Sequence, residues 1–472
     1  MKKLAGIGLL ALTATPSLLS AQLPPIRKIG PVNATTTELF GANVFVRSLP
    51  SGVLVNDIAN RRLLLFNDKL DSYTVVADTT PATANAYSGR TAGLIAYRGD
   101  SSLFVDAQSM SMLVIDGAGK VARVMALPRA QDAMVLGTAN IGGAAFDATG
   151  KLVYRGMNFG FGRPGGGGER PNAERGQRGE GNRGDANRGD ANRGDRPAER
   201  PSGGIPGPGG MMIPEPPDTA PVVRVDLATR MVDTLVWTKI PRPKIDVQRD
   251  EGTGRISINM IMNPLPTVDD WAVLSDGSIA VVRGRDYHVD FLRKDGKMES
   301  AAKIPYDWER MTDDDKVAFI DSLKAARARL VASQPQAAAG TATTGGGGGA
   351  PAGPGGGGQQ ITIIGPGGGG AGGPGGGMNR EPQFVQPQEL PDYKPPFFAG
   401  QMRADMDGNL WVRTTKGVAG GSVYDVINSK GELVDRVQVP TGRSILGFGK
   451  GGVVYLSAVD GEKRHIERAS VK

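Results

Sequence analysis

The chain has 472 residues, 39% of them apolar, with 70 Gly, 33 Pro, no Cys and a net charge of +7. The absence of cysteine excludes disulfides, thiolate metal sites, a cysteine nucleophile and a lipid-modified N-terminal cysteine. A weak positive excess is ordinary for a solvated surface, and the glycine excess is concentrated in two segments rather than spread along the chain.

Residues 1–21 combine Lys2 and Lys3, an apolar run over residues 4–12 and a small-residue end at Ser20-Ala21. That is the pattern of a secretory signal peptide cut before Gln22, so the expected address is the periplasm or the exterior. The run is short for a membrane span, and no later stretch reaches about 18 apolar residues. A soluble monomer is expected, with no membrane span.

From residue 44 onward the chain reads as short strands punctuated by tight turns. Residues 270–307 show the unit: WAVL, SIAVVR, YHVDFL and KMESAAKI, with turns at Asp276-Gly277 and Asp295-Gly296. Asp-Gly between apolar or alternating runs marks a hairpin, because glycine reaches the positive φ such turns need. A four-stranded meander of this length is one blade of a β-propeller. First-to-second-strand turns recur at Ser51-Gly52, Gly99-Asp100, Thr149-Gly150, Asp276-Gly277, Asp407-Gly408 and Gly451-Gly452. Third-to-fourth-strand turns are read at Asn67-Asp68, Gly117-Ala118-Gly119, Ala228-Thr229, Asp295-Gly296, Lys430-Gly431 and Asp460-Gly461. The first blades repeat about every 49 residues. The paired, regular turns favour a propeller over a β-sandwich. The fold expected is all-β, a six-bladed β-propeller. Its last blade lacks an outer strand, and residues 25–29, PIRKI, are expected to supply it and close the ring.

Two segments fall outside the repeat. Residues 161–221 carry Ala-Asn-Arg-Gly-Asp repeats and a Pro-Gly stretch, and residues 334–390 are Gly-rich around a short QQITII run. Few apolar side chains offset ordering entropy there, so both are expected to be disordered, with QQITII a linker fragment. Between them a helix is expected at about 312–332. Thr312 and Asp315 form a capping box, and Val317, Ile320, Leu323 and Leu330, with Phe319, form an apolar face. Arg-Gly-Asp occurs at Arg98 and again at Arg183, Arg188 and Arg193, where duplication of a low-complexity Ala-Asn-Arg-Gly-Asp repeat accounts for it rather than adhesion. Basic residues of the first insert are matched by Asp and Glu, so no nucleic-acid partner is expected.

The strand order places both inserts, the helix and residues 242–269 on one face, the face of second-to-third-strand loops and blade-to-blade connections. Function gathers on loops held by a rigid scaffold. Asp57, Asp106, Arg155, Arg283, Arg413 and Ser457 stand at or near the ends of the second strands on that face, and Asp286, Tyr287 and His288 follow Arg283 in a dense polar loop. Arginines around one rim suit a carboxylate, phosphate or sugar acid, since guanidinium binds such groups bidentately. The ligand-binding candidates are therefore Asp57, Asp106, Arg155, Arg283, Asp286, Tyr287, His288 and Arg413; no catalytic residue and no metal ligand is assigned. With His288 and His465 the only histidines, a zinc site is not expected. The carboxylate runs at 269–270 and 313–315 leave calcium open as a cofactor, although neither follows the D-x-D-x-D-G loop.

The turn-strand units LSDGSIAVVRGRDYHVDFLRKDG and MDGNLWVRTT resemble those of secreted bacterial six-bladed β-propellers of the NHL/TolB-like type. The resemblance covers most of the chain apart from the inserts. It implies the fold and leaves activity open, because that architecture includes binding scaffolds, lactonases, amidating lyases and quinone-dependent dehydrogenases. Lacking a catalytic constellation, the chain is read as a non-catalytic extracytoplasmic propeller that binds an envelope protein or glycan through the elaborated face. The alternative is a metal-dependent hydrolase or lyase at the channel mouth using Asp57, Asp106 or Asp286.

Overall fold

A computed structural model of the chain describes residues 23–41, 43–138, 143–156, 205–206, 212–213, 215–249, 256–332, 361–364, 383–461 and 463–471. The signal-peptide reading, most of residues 161–221 and the Gly-rich runs of 334–390 lie outside the described residues.

Six sheets follow the predicted meander. Sheet I holds Val44–Leu49, Gly52–Asp57, Arg62–Phe66 and Tyr73–Ala77. Sheet II holds Ala92–Ala96, Ser102–Asp106, Ser111–Ile115 and Val121–Ala126. Sheet III holds Ala145–Phe146, Leu152–Arg155, Thr219–Val225 and Val232–Lys239, so its third strand begins inside the segment read as an insert. Sheet IV holds Asp270–Val273, Ile279–Arg283, His288–Leu292 and Met298–Ser300. Sheet V holds Phe397–Ala404, Leu410–Val418, Gly421–Ile427 and Leu433–Pro440, and sheet VI holds Arg443–Phe448, Val453–Asp460 and Lys463–Ser470.

Period-2 alternation decides how the sheets assemble. In sheet I, Leu54 packs with Tyr87 and Phe104 of the next repeat, while its neighbours Val53 and Val55 pack with Tyr455 and Ile466 of sheet VI. In sheet II, Leu103 and Val105 pack toward Leu152 and Tyr154 of sheet III. A fourth cluster joins sheets III, IV and V through Val222, Trp271, Val281 and Val412, and a fifth joins V and VI through Trp411, Val437, Ile445 and Leu456. Every sheet is thus apolar on both faces and shared with two neighbours. A two-layer sandwich would leave one face of each sheet to water; these sheets close on themselves as a β-propeller. Gly447 shows how tightly: a Cβ there would stand 2.4 Å from the Val46 carbonyl oxygen of the adjoining inner strand.

The turns are built by a device the Asp-Gly reading only partly sees. Asp116, Asp147, Asp405 and Asn428 each stand three residues before a positive-φ glycine, and their side-chain oxygens accept from turn amides. Asp226 does the same in sheet III, where Arg230 (φ 62°) occupies the left-handed position without glycine. The side chain satisfies amides that would otherwise go unpaired, as in an Asx-turn.

Ring closure departs from expectation in its residues. The outer strand of sheet VI is Val32–Thr35, antiparallel to Lys463–Ser470 (Val32↔Ala469, Thr35↔Glu467). Residues 25–29 contribute Ile26–Lys28 instead as a fifth strand of sheet V, parallel to Leu433–Pro440. The apolar PIRKI run advertised a strand, whereas Val32–Thr35 is largely exposed and carries no apolar signal. Asp460-Gly461 is correspondingly a second-to-third-strand turn and not a third-to-fourth one, because it joins Val453–Asp460 to Lys463–Ser470.

On the elaborated face, Lys244–Arg249 and Ile256–Met262 form a hairpin. QQITII, read as a linker fragment, pairs there as Ile361–Ile364, parallel to Ile256–Asn259. The helix runs over Asp313–Ala332. Its capping box forms, with Asp315 accepting from the Thr312 amide at 2.9 Å and the Asp315 amide donating to Thr312 Oγ1 at 3.2 Å. Ile320 packs on Val385 and Leu390 with Phe319 beside it, while Val317, expected on that face, is exposed. Among the described residues, no helix is long and apolar enough to cross a membrane.

Candidate functional site

The second-strand ends do lie at corresponding corners of the sheets, and in four of them the charged side chain is locked. Asp57 is fully buried and accepts from Arg62 Nε at 3.0 Å and Asn60 Nδ2 at 2.7 Å. Asp106 is buried and accepts from the Ser88 and Gln108 amides at 2.9 and 3.1 Å. Arg155 is buried against Asp270, with Nη2 3.4 Å from Oδ1. Burial pushes the Arg155 pKa down and the Asp270 pKa up, each opposed by the charge of the other. Arg283 bridges Asp290 at 2.7 Å and Asp269 at 2.8 Å. In these four the charged groups tie corners and blades together, and Arg155 Nε, like that of Arg413, is buried without a hydrogen-bond partner.

The polar loop after Arg283 divides between core and surface. Tyr287 is fully buried and points inward, donating its hydroxyl to Asp425 Oδ2 at 2.8 Å. Its backbone takes the left-handed conformation, with φ 45°. His288 lies between Asp286 (Nδ1 to Oδ1, 2.9 Å) and Asp290 (Nε2 to Oδ1, 3.2 Å). Asp286 is therefore held by His288, with Lys303 3.8 Å away. The carboxylate runs considered for calcium are engaged as well: Asp269 and Asp270 pair with Arg283 and Arg155, and Asp315 caps the helix. No group of three or more His, Cys, Asp or Glu side chains suited to a metal occurs among the described residues.

Arg413 is different. It lies within Leu410–Val418, opposite Tyr424, and among the described residues it forms no ion pair. Its guanidinium stands over the Phe398 ring at 5.3 Å, and Nε is buried without a hydrogen-bond partner. It lines a cavity of about 290 Å³ together with Asn43, Gln401, Arg403, Tyr424 and Arg443. Those residues come from the first three strands of sheet V, the first strand of sheet VI and the start of sheet I. No carboxylate lines it. Arg443 is neutralised by Glu467, with Nη2 to Oε1 at 2.8 Å; Arg403, like Arg413, has no acidic partner among the described residues. Burial raises the Tyr424 phenol above its usual pKa, and the Arg413 and Arg403 charges pull against it. The arrangement is a fixed, partly desolvated pair of guanidiniums beside amide and hydroxyl groups, which can hold an anion and fix its orientation.

The sequence reading found Arg413 and missed Arg403, Gln401, Tyr424 and Arg443. Gln401 and Arg403 alternate on an inner strand, a signal that could have flagged them. The register shift between Phe397 and Met402 hides which face they take.

The Arg443–Glu467 pair gives a pH test. Burial would raise the Glu467 pKa, but Arg443 outweighs it and holds the folded value below 4.5. A depressed carboxyl stabilises the fold above its unfolded pKa and loses that contribution as pH falls through the folded value. Glu467→Gln is therefore expected to be less stable than the parent at pH 7, with the gap closing below about pH 4.5. Urea denaturation of both proteins across pH 3–7 checks this; a gap independent of pH would contradict it.

No protein-family model matches the chain, and no curated protein matches it. Among solved structures it is similar to a gluconolactonase from Xanthomonas campestris, at 9% identity over 95% of this chain and 97% of that one, with a TM-score of 0.34. It is similar to virginiamycin B lyase from Staphylococcus aureus at 10% identity, over 94% and 99% of the two chains, with a TM-score of 0.33. TolB from Acinetobacter baumannii shares 7% identity over 90% of this chain and 63% of its own, with a TM-score of 0.31. No residue of this chain takes its role from these proteins.

Proposed function

We propose that the protein is a non-catalytic extracytoplasmic propeller that binds an acidic group of an envelope glycan or protein at the Arg403–Arg413 cleft. One observation carries this reading. The rim position that is locked by an internal partner in sheets I to IV carries in sheet V an arginine with no acidic partner among the described residues, at the wall of a cavity. A guanidinium held partly out of water without a counter-charge is costly unless something pairs with it, and a ligand carboxylate does so bidentately. The address rests on the N-terminal Lys-Lys, apolar and small-residue pattern. The alternative is a metal-dependent hydrolase or lyase using Asp57, Asp106 or Asp286, each of which is hydrogen-bonded or ion-paired to a neighbour.

The test is calorimetric titration of the purified protein with glucuronate, oligogalacturonate and short acidic peptides. At least one of these acids is expected to bind the parent, and Arg403→Gln combined with Arg413→Gln is expected to weaken that binding about 10-fold or more. Added salt should weaken it further. Binding that is unchanged in the double variant would rule out the cleft.

A further inference from the structure

Arg413 lines two cavities. The second, of about 360 Å³, is walled by Met262, Asn263, Pro264, Leu265, Phe397 and Phe398. Gln401 and Arg413 line both cavities, and Arg413 is the one charged side chain on the apolar side. Leu265 and Phe397 are buried, whereas Met262 and Phe398 remain partly open to the space. The Arg413 guanidinium lies over the Phe398 ring, and its N–H groups remain for an acceptor. An apolar chamber of this size with a single cation at its edge fits a ligand that is itself divided.

We propose that the ligand is an amphipathic carboxylate: the carboxylate sits on Arg413 and Arg403, and an aromatic or branched apolar body fills the chamber between Met262, Leu265 and Phe398. The proposal rests on the binding reading above and narrows its ligand class. A sugar acid would leave the apolar walls wet, and burying a ring or branched chain there adds a hydrophobic term that the guanidiniums alone cannot supply. Two sources share this chemistry, the C-terminus of a peptide ending in an apolar residue and a free arylalkanoic or branched-chain acid.

The experiment is titration calorimetry with acetate, glucuronate, 3-phenylpropanoate and N-acetylphenylalanine, against the parent, Arg413→Gln and Met262→Gln, with thermal melts to confirm that both variants fold. The two phenyl acids are expected to bind about 10-fold or more tightly than acetate or glucuronate. Arg413→Gln should weaken every acid that binds. Met262→Gln should weaken the phenyl acids and leave acetate and glucuronate as they were. Tighter binding of N-acetylphenylalanine than of 3-phenylpropanoate supports a peptide terminus, and the reverse supports a free acid. Equal affinity for glucuronate and the phenyl acids overturns the amphipathic ligand while leaving the anion cleft standing. Failure of all four to bind overturns the amphipathic ligand, and the anion cleft falls with it only where oligogalacturonate and the acidic peptides fail as well.

Discussion

Asp425→Ala is expected to lower the unfolding free energy by about 3–5 kcal/mol, the cost of breaking a buried ion pair from one side. Asp425 is 1% exposed in the third strand of sheet V. Its two oxygens accept from the Tyr287 hydroxyl of sheet IV at 2.8 Å and from Arg436 Nε of the neighbouring strand at 3.3 Å. Tyr287 is 0% exposed and Arg436 6%, so neither can turn to water when the carboxylate is removed. Burial raises the pKa of both Asp425 and Tyr287. Tyr287→Phe removes one hydrogen bond and keeps the ion pair, so about 1–3 kcal/mol is expected. Urea denaturation of the two single variants and the double variant measures the coupling. If Asp425→Ala costs no more than Tyr287→Phe, Arg436 does not depend on the carboxylate and the tie between sheets IV and V lies elsewhere.

How much of this was legible in the sequence depends on whether the determining contacts are local. Gly277, Gly296, Gly408 and Gly431 all take positive φ in tight turns, and each turn is decided within five residues, so the strand order could be read directly. The positions at the ends of the second strands could also be read, because they follow from the same turns. Their partners could not. Asp270 reaches Arg155 across 115 residues of chain, and Tyr287 reaches Asp425 across 138. A charged residue at a strand end looks the same in sequence whether its partner is a distant side chain or a ligand. Arg155, Arg283 and Arg413 were therefore equivalent until the fold paired the first two and left the third at a cavity. Exposed outer strands are hard to read for another reason: with no buried face they need no apolar pattern, and Val32–Thr35 passed unnoticed beside the more strand-like Ile26–Lys28.

That misplacement sets up the second large effect. Two N-terminal strands both touch the ring, and truncation separates their roles. A chain beginning at Pro31 loses Ile26–Lys28 and with it the parallel pairing to sheet V and the Arg27–Asp435 ion pair. Arg27 is largely exposed, so that pair contributes little, and the strand it anchors is a fifth, redundant edge. A chain beginning at Thr37 also loses Val32–Thr35, the Thr36 amide bond to Ile466 O at 2.9 Å, and the bond from the Ile466 amide to Thr36 Oγ1 at 2.9 Å. At about 1 kcal/mol for each hydrogen bond, removing this strand is expected to cost roughly 3–5 kcal/mol more than the first truncation. It also uncovers the edge of Lys463–Ser470, an unpaired strand ready to join another molecule. The shorter chain should melt well below the longer one and show concentration-dependent association, read by thermal denaturation and light scattering. If both truncations melt together near the full-length value, the ring is held by its apolar interfaces alone. If the chain beginning at Pro31 is already as unstable as the shorter one, the parallel strand of sheet V is the true clasp.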